Sequence, residues 1–156
     1  MKIEAHLTKF RRLDAMKQRL DVEVDRELWI WTSMNAATHL LNAALHHCGA
    51  SAETDSFHTQ VEGVYAAPDR ANGTLRTMSH APGDLMHVGQ PQLGVPVPCG
   101  IEEACAGLRI IEDLRESCVR GSEPVAEDAA RHWELAYRKS VAALFNALDT
   151  PRRQVA

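Results

Sequence analysis

Histidines and asparagines repeat at helical spacing in a long segment that has no charged side chain. Residues 28–52 contain no Asp, Glu, Lys or Arg, and the pattern Asn-Ala-Ala-x-His occurs in them twice, seven residues apart. At about 100° per residue, Asn35, His39, Asn42 and His46 fall on one narrow stripe of a helix. A histidine can act as an acid, a base or a metal ligand near neutral pH. The polar stripe therefore predicts a site for ligand binding or proton transfer.

Two interpretations of the polar stripe remain open. In the first, its neutral side chains line an internal groove or the seam of a dimer. In the second, they form a weakly polar outer face, or are buried polar groups satisfied by a loop. Helices that face bulk water normally carry Lys or Glu on that side, and this one carries neither. We give the two interpretations equal weight.

Further histidines and a carboxylate lie in the middle of the chain. In loops that close over the polar stripe they would supply nitrogen and oxygen ligands for a divalent metal ion. His39 and His46 are two turns apart, about 10 Å along the helix axis, so they need other elements to share one ion. No H-E-x-x-H and no paired E-x-x-H occurs, so we assign no metal ligands and predict no cofactor beyond a possible divalent metal. The residues concerned are His58, His80, Asp84 and His87.

The segment from Met34 to His39 resembles the motif of HEPN domains, which are helical proteins. Many of them are RNases or toxin components that act as dimers. Their motif has an Arg, often followed by Asn, and then a His a few residues on; here Met34 stands at the Arg position. The resemblance implies that Asn35 and His39 match the polar and His positions, in a HEPN-like fold with altered RNase activity. RNA is expected as a partner only if this resemblance holds.

The spacing of apolar residues predicts that four principal helices position these side chains. Asp21 is a predicted cap at a bend after the first helix, with a continuous helix through Asp21 as the alternative, and Gly49 is a predicted terminator of the second helix. The buried stripe of the first helix is predicted to contain Ile3, Leu7, Phe10, Leu13, Met16 and Leu20. The predicted helices cover residues 3–20, 22–48, 101–120 and 124–149.

The segment between the second and third helices is predicted to be a long, ordered and partly extended insertion over residues 50–100. Seven of the nine glycines and five of the seven prolines lie between Gly49 and Gly100. Residues 57–66 and 74–78 favour short strands of a small β-hairpin, joined through a turn that ends in Asn-Gly. Loops this long are usually functional or disordered, and the apolar residues of this one argue against disorder. We expect the insertion to form a lid or rim over the polar stripe.

The composition argues against a nucleic-acid-binding protein and against a membrane-spanning protein. The chain has 156 residues, the length of a single domain over 1–156, and a formal charge of −4, which gives no basic footprint for nucleic acid. Its apolar runs are shorter than the roughly 18 residues of a membrane span. Four cysteines without a C-x-x-C pair and no apolar N-terminal run predict free thiols and a cytoplasmic location, with two disulfides as the alternative.

These patterns together predict a mainly α protein, a four-helix bundle with the insertion between helices 2 and 3, that forms a homodimer. The function predicted first is a module that binds a small-molecule ligand or a protein partner, away from membranes. The alternative is a HEPN-like RNase or a metal-assisted hydrolase, with Asn35 and His39 as candidate catalytic residues. The predicted binding residues are Asn35, His39, Asn42, His46, His58, His80, Asp84 and His87.

Overall fold

The protein is mainly helical, with a small antiparallel sheet between the second and third helices, as predicted. The computed structural model describes residues 1–59, 61, 64–78, 83–86, 88, 98–113, 115, 118 and 128–151. The elements within them are α1 (Ile3–Lys17), α2 (Arg26–His47), β1 (Phe57–His58), β2 (Tyr65–Asp69), β3 (Thr74–Met78), α3 (Cys99–Asp113) and α4 (Ala129–Asp149).

Helix α2 lies at the centre of the bundle. It contacts α1, α3 and α4, and 14 of its 22 residues are buried. Its position explains the absence of charge in residues 28–52, because an unpaired charge there would lose its hydration without compensation. The core around α2 is formed by fully buried side chains from three helices: Trp29, Ile30, Leu40, Leu41, Leu45, Ile101, Leu108, Ile111, Trp133, Tyr137 and Leu144.

The boundary between α1 and α2 differs from the prediction. Helix α1 ends at Lys17 rather than at residue 20, and α2 begins at Arg26 rather than at residue 22. The Asp21 carboxylate accepts hydrogen bonds from the backbone N–H groups of Glu23 and Val24 at 2.8 and 3.0 Å. Asp21 therefore caps a separate turn at the predicted bend, and the second helix starts only after it.

The other two helices begin two and five residues away from their predicted first residues. Helix α3 starts at Cys99, not at residue 101, and α4 is described from Ala129, not from residue 124. The predicted end at 120 and the predicted start at 124 lie outside the described residues.

The free thiols of Cys48, Cys105 and Cys118 agree with the prediction. Among the described helices, none is long and apolar enough to cross a bilayer.

The buried stripe of α1 contains Lys17 instead of the predicted Met16. Met16 is 42% exposed, whereas Lys17 is 2% exposed. The Lys17 ammonium lies 2.9 and 3.0 Å from the carboxylate oxygens of Glu134, and 4.4 Å from the centroid of the Tyr137 ring. A buried cation needs such a partner, and the residue types of α1 alone do not reveal one on α4.

The insertion contains the predicted hairpin. Strands β2 and β3 pair antiparallel with Tyr65 opposite Met78, and Gly73 closes the turn with φ +65°. The predicted strand over 57–66 is two strands instead, because β1 is only two residues long and pairs back onto the start of β2. The sheet order is β1-β2-β3.

We predict that Glu134→Ala destabilises the protein by about 2–3 kcal/mol, because it leaves the Lys17 ammonium buried without its counter-ion. The matched control is Arg138→Ala, since Arg138 pairs with the same carboxylate but is 72% exposed. This control is expected to cost less than about 0.5 kcal/mol. Urea unfolding at pH 7 measures both, and equal losses would contradict the buried role of Lys17.

Candidate metal centre

His6 reaches the centre of the fold from α1. It is 1% exposed and lies one helical turn from Phe10 on the face that packs against α2. Its ring centroid is 5.3 Å from that of His39 and 5.3 Å from that of His46. Because His39 and His46 are two turns apart on α2, a side chain from α1 can lie between them.

Asp84 is brought to the same place by the insertion. Its backbone N–H donates to the carbonyl of Ser56 at 2.9 Å, next to a bridge between Phe57 and Asp84. A Cβ atom at Gly83 would collide with Ser56, so only glycine permits this approach.

Asn42 holds the Asp84 segment on α2. The side-chain amide of Asn42 donates to the Leu85 carbonyl at 2.9 Å, and its oxygen accepts from the Leu85 N–H at 2.7 Å. Asn42 is 1% exposed, so these bonds satisfy polar groups that water does not reach.

The end of α2 positions a hydroxyl beside His46. Gly49, with φ +77°, ends the helix as predicted, and the N–H groups of Gly49 and Ala50 donate to the carbonyls of His46 and Leu45. This is the Schellman arrangement of a helix C-terminus. The turn brings the Ser51 Oγ to 2.7 Å from the His46 Nδ1.

These elements place two imidazoles around one carboxylate oxygen. The Asp84 Oδ1 lies 3.2 Å from the His6 Nε2 and 2.9 Å from the His46 Nε2. The three atoms that His6, His46 and Asp84 offer as ligands are within 4.8 Å of one another. The Met1 amino group donates to both Asp84 oxygens, at 2.9 and 3.0 Å, and to the Thr54 carbonyl.

The hydrogen bonds of Asp84 keep it ionised. Burial opposes ionisation, but the hydrogen bonds from His46, His6 and the N-terminal amine outweigh it and hold the pKa of Asp84 well below its usual range. A carboxylate only accepts hydrogen bonds, so His6 and His46 each present an Nε2–H group to it. The His46 Nδ1 can then accept a hydrogen bond from the Ser51 hydroxyl group.

His39 is adjacent to the cluster formed by His6, His46 and Asp84. Its Nδ1 lies 3.0 Å from the His6 Nδ1. Burial is the main cause that lowers the pKa of His39 to about 4; the positive charge of Lys9, and that of His6 when it is protonated, act in the same direction. His39 is therefore neutral at physiological pH.

A pocket of about 540 Å³ opens beside the cluster. Its walls come from α1, α2, the sheet and the segment that holds Asp84, and two members of the cluster, His6 and Asp84, line it. Its size lies within the range of small-molecule sites. The polar side chains that line it include Asn35, Thr38, His39, Asn42 and Arg70.

The donor set fits a transition metal. Two imidazole nitrogens and one carboxylate oxygen suit Zn²⁺ or Fe²⁺, whereas Ca²⁺ and Mg²⁺ prefer sets made mostly of oxygen. A ligating histidine typically uses its second ring nitrogen for a hydrogen bond that fixes its orientation. His6 makes that bond with His39, and His46 makes it with Ser51.

The polar stripe of α2 becomes progressively more buried along the helix. Asn35 is exposed and donates to the Trp31 carbonyl at 2.7 Å; His39 is intermediate; Asn42 and His46 are buried. The structure brings His39, Asn42, His46 and Asp84 together. The side chain of His58 and the whole of His80 and His87 lie outside the described residues.

Sequence reasoning missed His6. Its spacing between Ile3 and Phe10 indicates a position on the buried face of α1 but does not indicate a partner or a role. Comparisons with protein-family models, curated proteins and solved structures found no match to this chain. The geometry of the site is therefore what indicates its chemistry.

We predict that Asn42→Ala destabilises the protein by about 2–4 kcal/mol, because it leaves the buried N–H and carbonyl of Leu85 unpaired. Asn35→Ala is the matched control from the same sequence repeat. Asn35 is exposed, and among the described residues its side chain bonds only within its own helix, so its loss is expected to change stability by less than about 0.5 kcal/mol. Urea unfolding at pH 7 measures both; similar losses would contradict the role of Asn42.

We predict that acid weakens the metal-free protein partly through His39. Between the unfolded pKa of 6.5 and the folded value of about 4, the unfolded chain binds a proton that the native state does not. The free energy of unfolding therefore falls as the pH falls through this window. With allowance for solvent screening, the loss due to His39 is about 1–2 kcal/mol.

The measurement is urea unfolding from pH 7 to pH 4 after chelation of metal. His39→Gln should reduce this pH dependence, and His132→Gln should preserve it, because the His132 side chain is 73% exposed. A His39→Gln curve parallel to that of the wild type would show that His39 is not held neutral by its surroundings.

Proposed function

We propose that this protein is a metal-dependent hydrolase for a small-molecule substrate. His6, His46 and Asp84 would hold one divalent transition metal ion, with Zn²⁺ as the first choice. The observation that supports this most directly is the convergence of the His6 Nε2, the His46 Nε2 and the Asp84 Oδ1 within 4.8 Å beside a pocket.

Among the residues that the structure describes, three side chains offer ligand atoms, and this number favours catalysis over a purely structural role. Structural zinc sites usually have four protein ligands, whereas catalytic sites have three and leave a position for water or substrate. Zinc lowers the pKa of a bound water to about 7, which supplies hydroxide at neutral pH. The pocket beside His6 and Asp84 provides the space in which a substrate would meet that hydroxide.

The Asp84 carboxylate can bind a metal without giving up all of its present contacts. Both imidazoles approach Oδ1, so the metal would replace the two Nε2–H protons that face this oxygen. Oδ2 lies 3.0 Å from the Met1 amine and remains available to it. The carboxylate would then bind the metal through one oxygen.

A metal-free acid–base mechanism fits the site less well. Asp84, His6 and His39 form a continuous chain of hydrogen bonds, which could activate His39 as a base. General bases work best when their pKa is near the working pH, and the pKa of His39 is lowered to about 4. The resemblance to HEPN domains and the homodimer stay predictions, because both rest on the sequence alone.

We predict one Zn²⁺ per chain, and at least about 100-fold weaker binding in His46→Ala and Asp84→Asn, because each loses one of three ligands. Ser51→Ala is expected to bind about 10-fold more weakly through loss of support for His46. The control His132→Ala alters an exposed histidine and should bind as the wild type does. Titration calorimetry and elemental analysis measure affinity and stoichiometry.

Folding of each variant is checked by circular dichroism. Saturation at about 100 times Kd should stabilise the wild type by about 2.7 kcal/mol and raise its Tm by about 5–10 °C. The Tm of Asp84→Asn should not respond to zinc. Unchanged zinc affinity in folded His46→Ala and Asp84→Asn would contradict the metal centre.

The hydrolytic part of the proposal is tested with p-nitrophenyl acetate, p-nitrophenyl phosphate and an anilide. Turnover is expected with at least one of them, and it should disappear on chelation and return when zinc is added. A zinc-loaded protein that hydrolyses none of them would contradict the hydrolytic assignment. The protein would then be a metal-dependent binding module.

A further inference from the structure

Because His6 and His39 share a hydrogen bond, the position of the proton on one ring fixes the position of the proton on the other. Their Nδ1 atoms lie 3.0 Å apart, with the ring planes inclined by 48°. Two neutral imidazoles form such a bond only when one Nδ1 has a proton and the other has none. The tautomer of His6 therefore determines the tautomer of His39.

Without metal, the proton of His6 is on Nε2, where it is donated to Asp84 across 3.2 Å. The His6 Nδ1 is then an acceptor, so the His39 Nδ1 must be the donor. The remaining ring nitrogen of His39, Nε2, has a lone pair and accepts hydrogen bonds.

With metal bound, both tautomers must invert. The His6 Nε2 uses its lone pair for the metal, so its proton moves to Nδ1 and is donated to the His39 Nδ1. The proton of His39 then moves to Nε2. Each ring gains one proton and loses one by exchange with water, so these two rings release no net proton.

We propose that metal binding turns the His39 Nε2 into a hydrogen-bond donor, and that His39 thereby selects substrates with an oxyanion, either a carboxylate or a phosphoryl group, next to the metal. This inference rests on the proposed metal centre and assigns His39 a role in substrate recognition. His39 lines the same pocket as His6 and Asp84, so one small molecule can meet the metal and His39 together.

The surroundings of His39 favour negative charge. His39 also lines a neighbouring cleft of about 400 Å³ whose other polar lining residues are Lys9, Arg12 and Arg19. Among the described residues, none forms an ion pair with these three side chains and none of those that line the cleft is acidic. Lys9 is near enough for its charge to act on His39. Unpaired cations beside a hydrogen-bond donor attract an anionic acceptor.

The first test follows the ring protons directly. Long-range ¹H–¹⁵N spectra of labelled protein distinguish protonated from unprotonated ring nitrogens, with assignment by His6→Gln and His39→Gln. One equivalent of Zn²⁺ should move the proton of His39 from Nδ1 to Nε2. If zinc binds His6 but this proton stays on the His39 Nδ1, the inference is overturned while the proposed metal centre is supported. Failure of zinc to bind His6 would overturn both.

The second test uses inorganic phosphate as the probe, with acetate as the carboxylate and acetamide as the neutral control. Calorimetry on zinc-loaded wild type should detect phosphate or acetate, and the tighter of the two identifies the preferred group. Acetamide that binds as tightly as acetate would overturn the preference for an oxyanion.

Variants of His39 separate its role from that of the metal. His39→Leu, which has no donor, should bind the preferred anion about 10-fold more weakly, while His39→Gln, which keeps an N–H donor, should recover most of the affinity. Lys9→Gln should weaken the anion several-fold, and the matched control Lys139→Gln, on α4, should not. Equal affinity in zinc-loaded wild type and His39→Leu would show that the metal alone binds the anion.

Discussion

The burial of one carboxylate governs the arrangement of this molecule. The Asp84 side chain is only 14% exposed, and an ionised carboxylate in such a place must be surrounded by hydrogen-bond donors. Those donors come from separate parts of the fold: His6 from α1, His46 from α2 and the amino group of Met1. The insertion supplies the carboxylate itself. The contacts at Asp84 therefore join α1, α2 and the insertion.

The positions of the ligands depend on residues that bind nothing themselves. Asn42 fixes the backbone beside Asp84, Gly83 lets that segment approach Ser56, and the turn at Gly49 brings Ser51 to His46. Each of these interactions is short-range and is already formed in the absence of metal. A site built in this way needs little rearrangement to bind an ion, which favours both affinity and a fixed direction for the open position.

Parts of this arrangement could be predicted from the sequence, and parts could not. The helices repeat their apolar residues over several turns, so the sequence predicts their existence and type. It does not predict where α1 ends and α2 begins, because Asp21 caps a separate turn between them and apolar spacing does not distinguish such a turn from a helix. Asn42 and His46 were recognisable as members of a stripe without charge. His6 was not, because a single histidine among apolar residues looks alike whether or not it has a partner, and its partner Asp84 is 78 residues away. Lys17 was missed for the same reason, since Glu134 is 117 residues away.

We propose that His6, His46 and Asp84 hold one metal ion in a position open to the pocket. An anomalous-scattering map of crystals grown with zinc, recorded on both sides of the zinc edge, would locate this ion. We expect one strong peak per chain, about 2.0–2.2 Å from the His6 Nε2, the His46 Nε2 and the Asp84 Oδ1. Peaks only at exposed histidines such as His132, with both imidazoles still donating to Asp84, would contradict it.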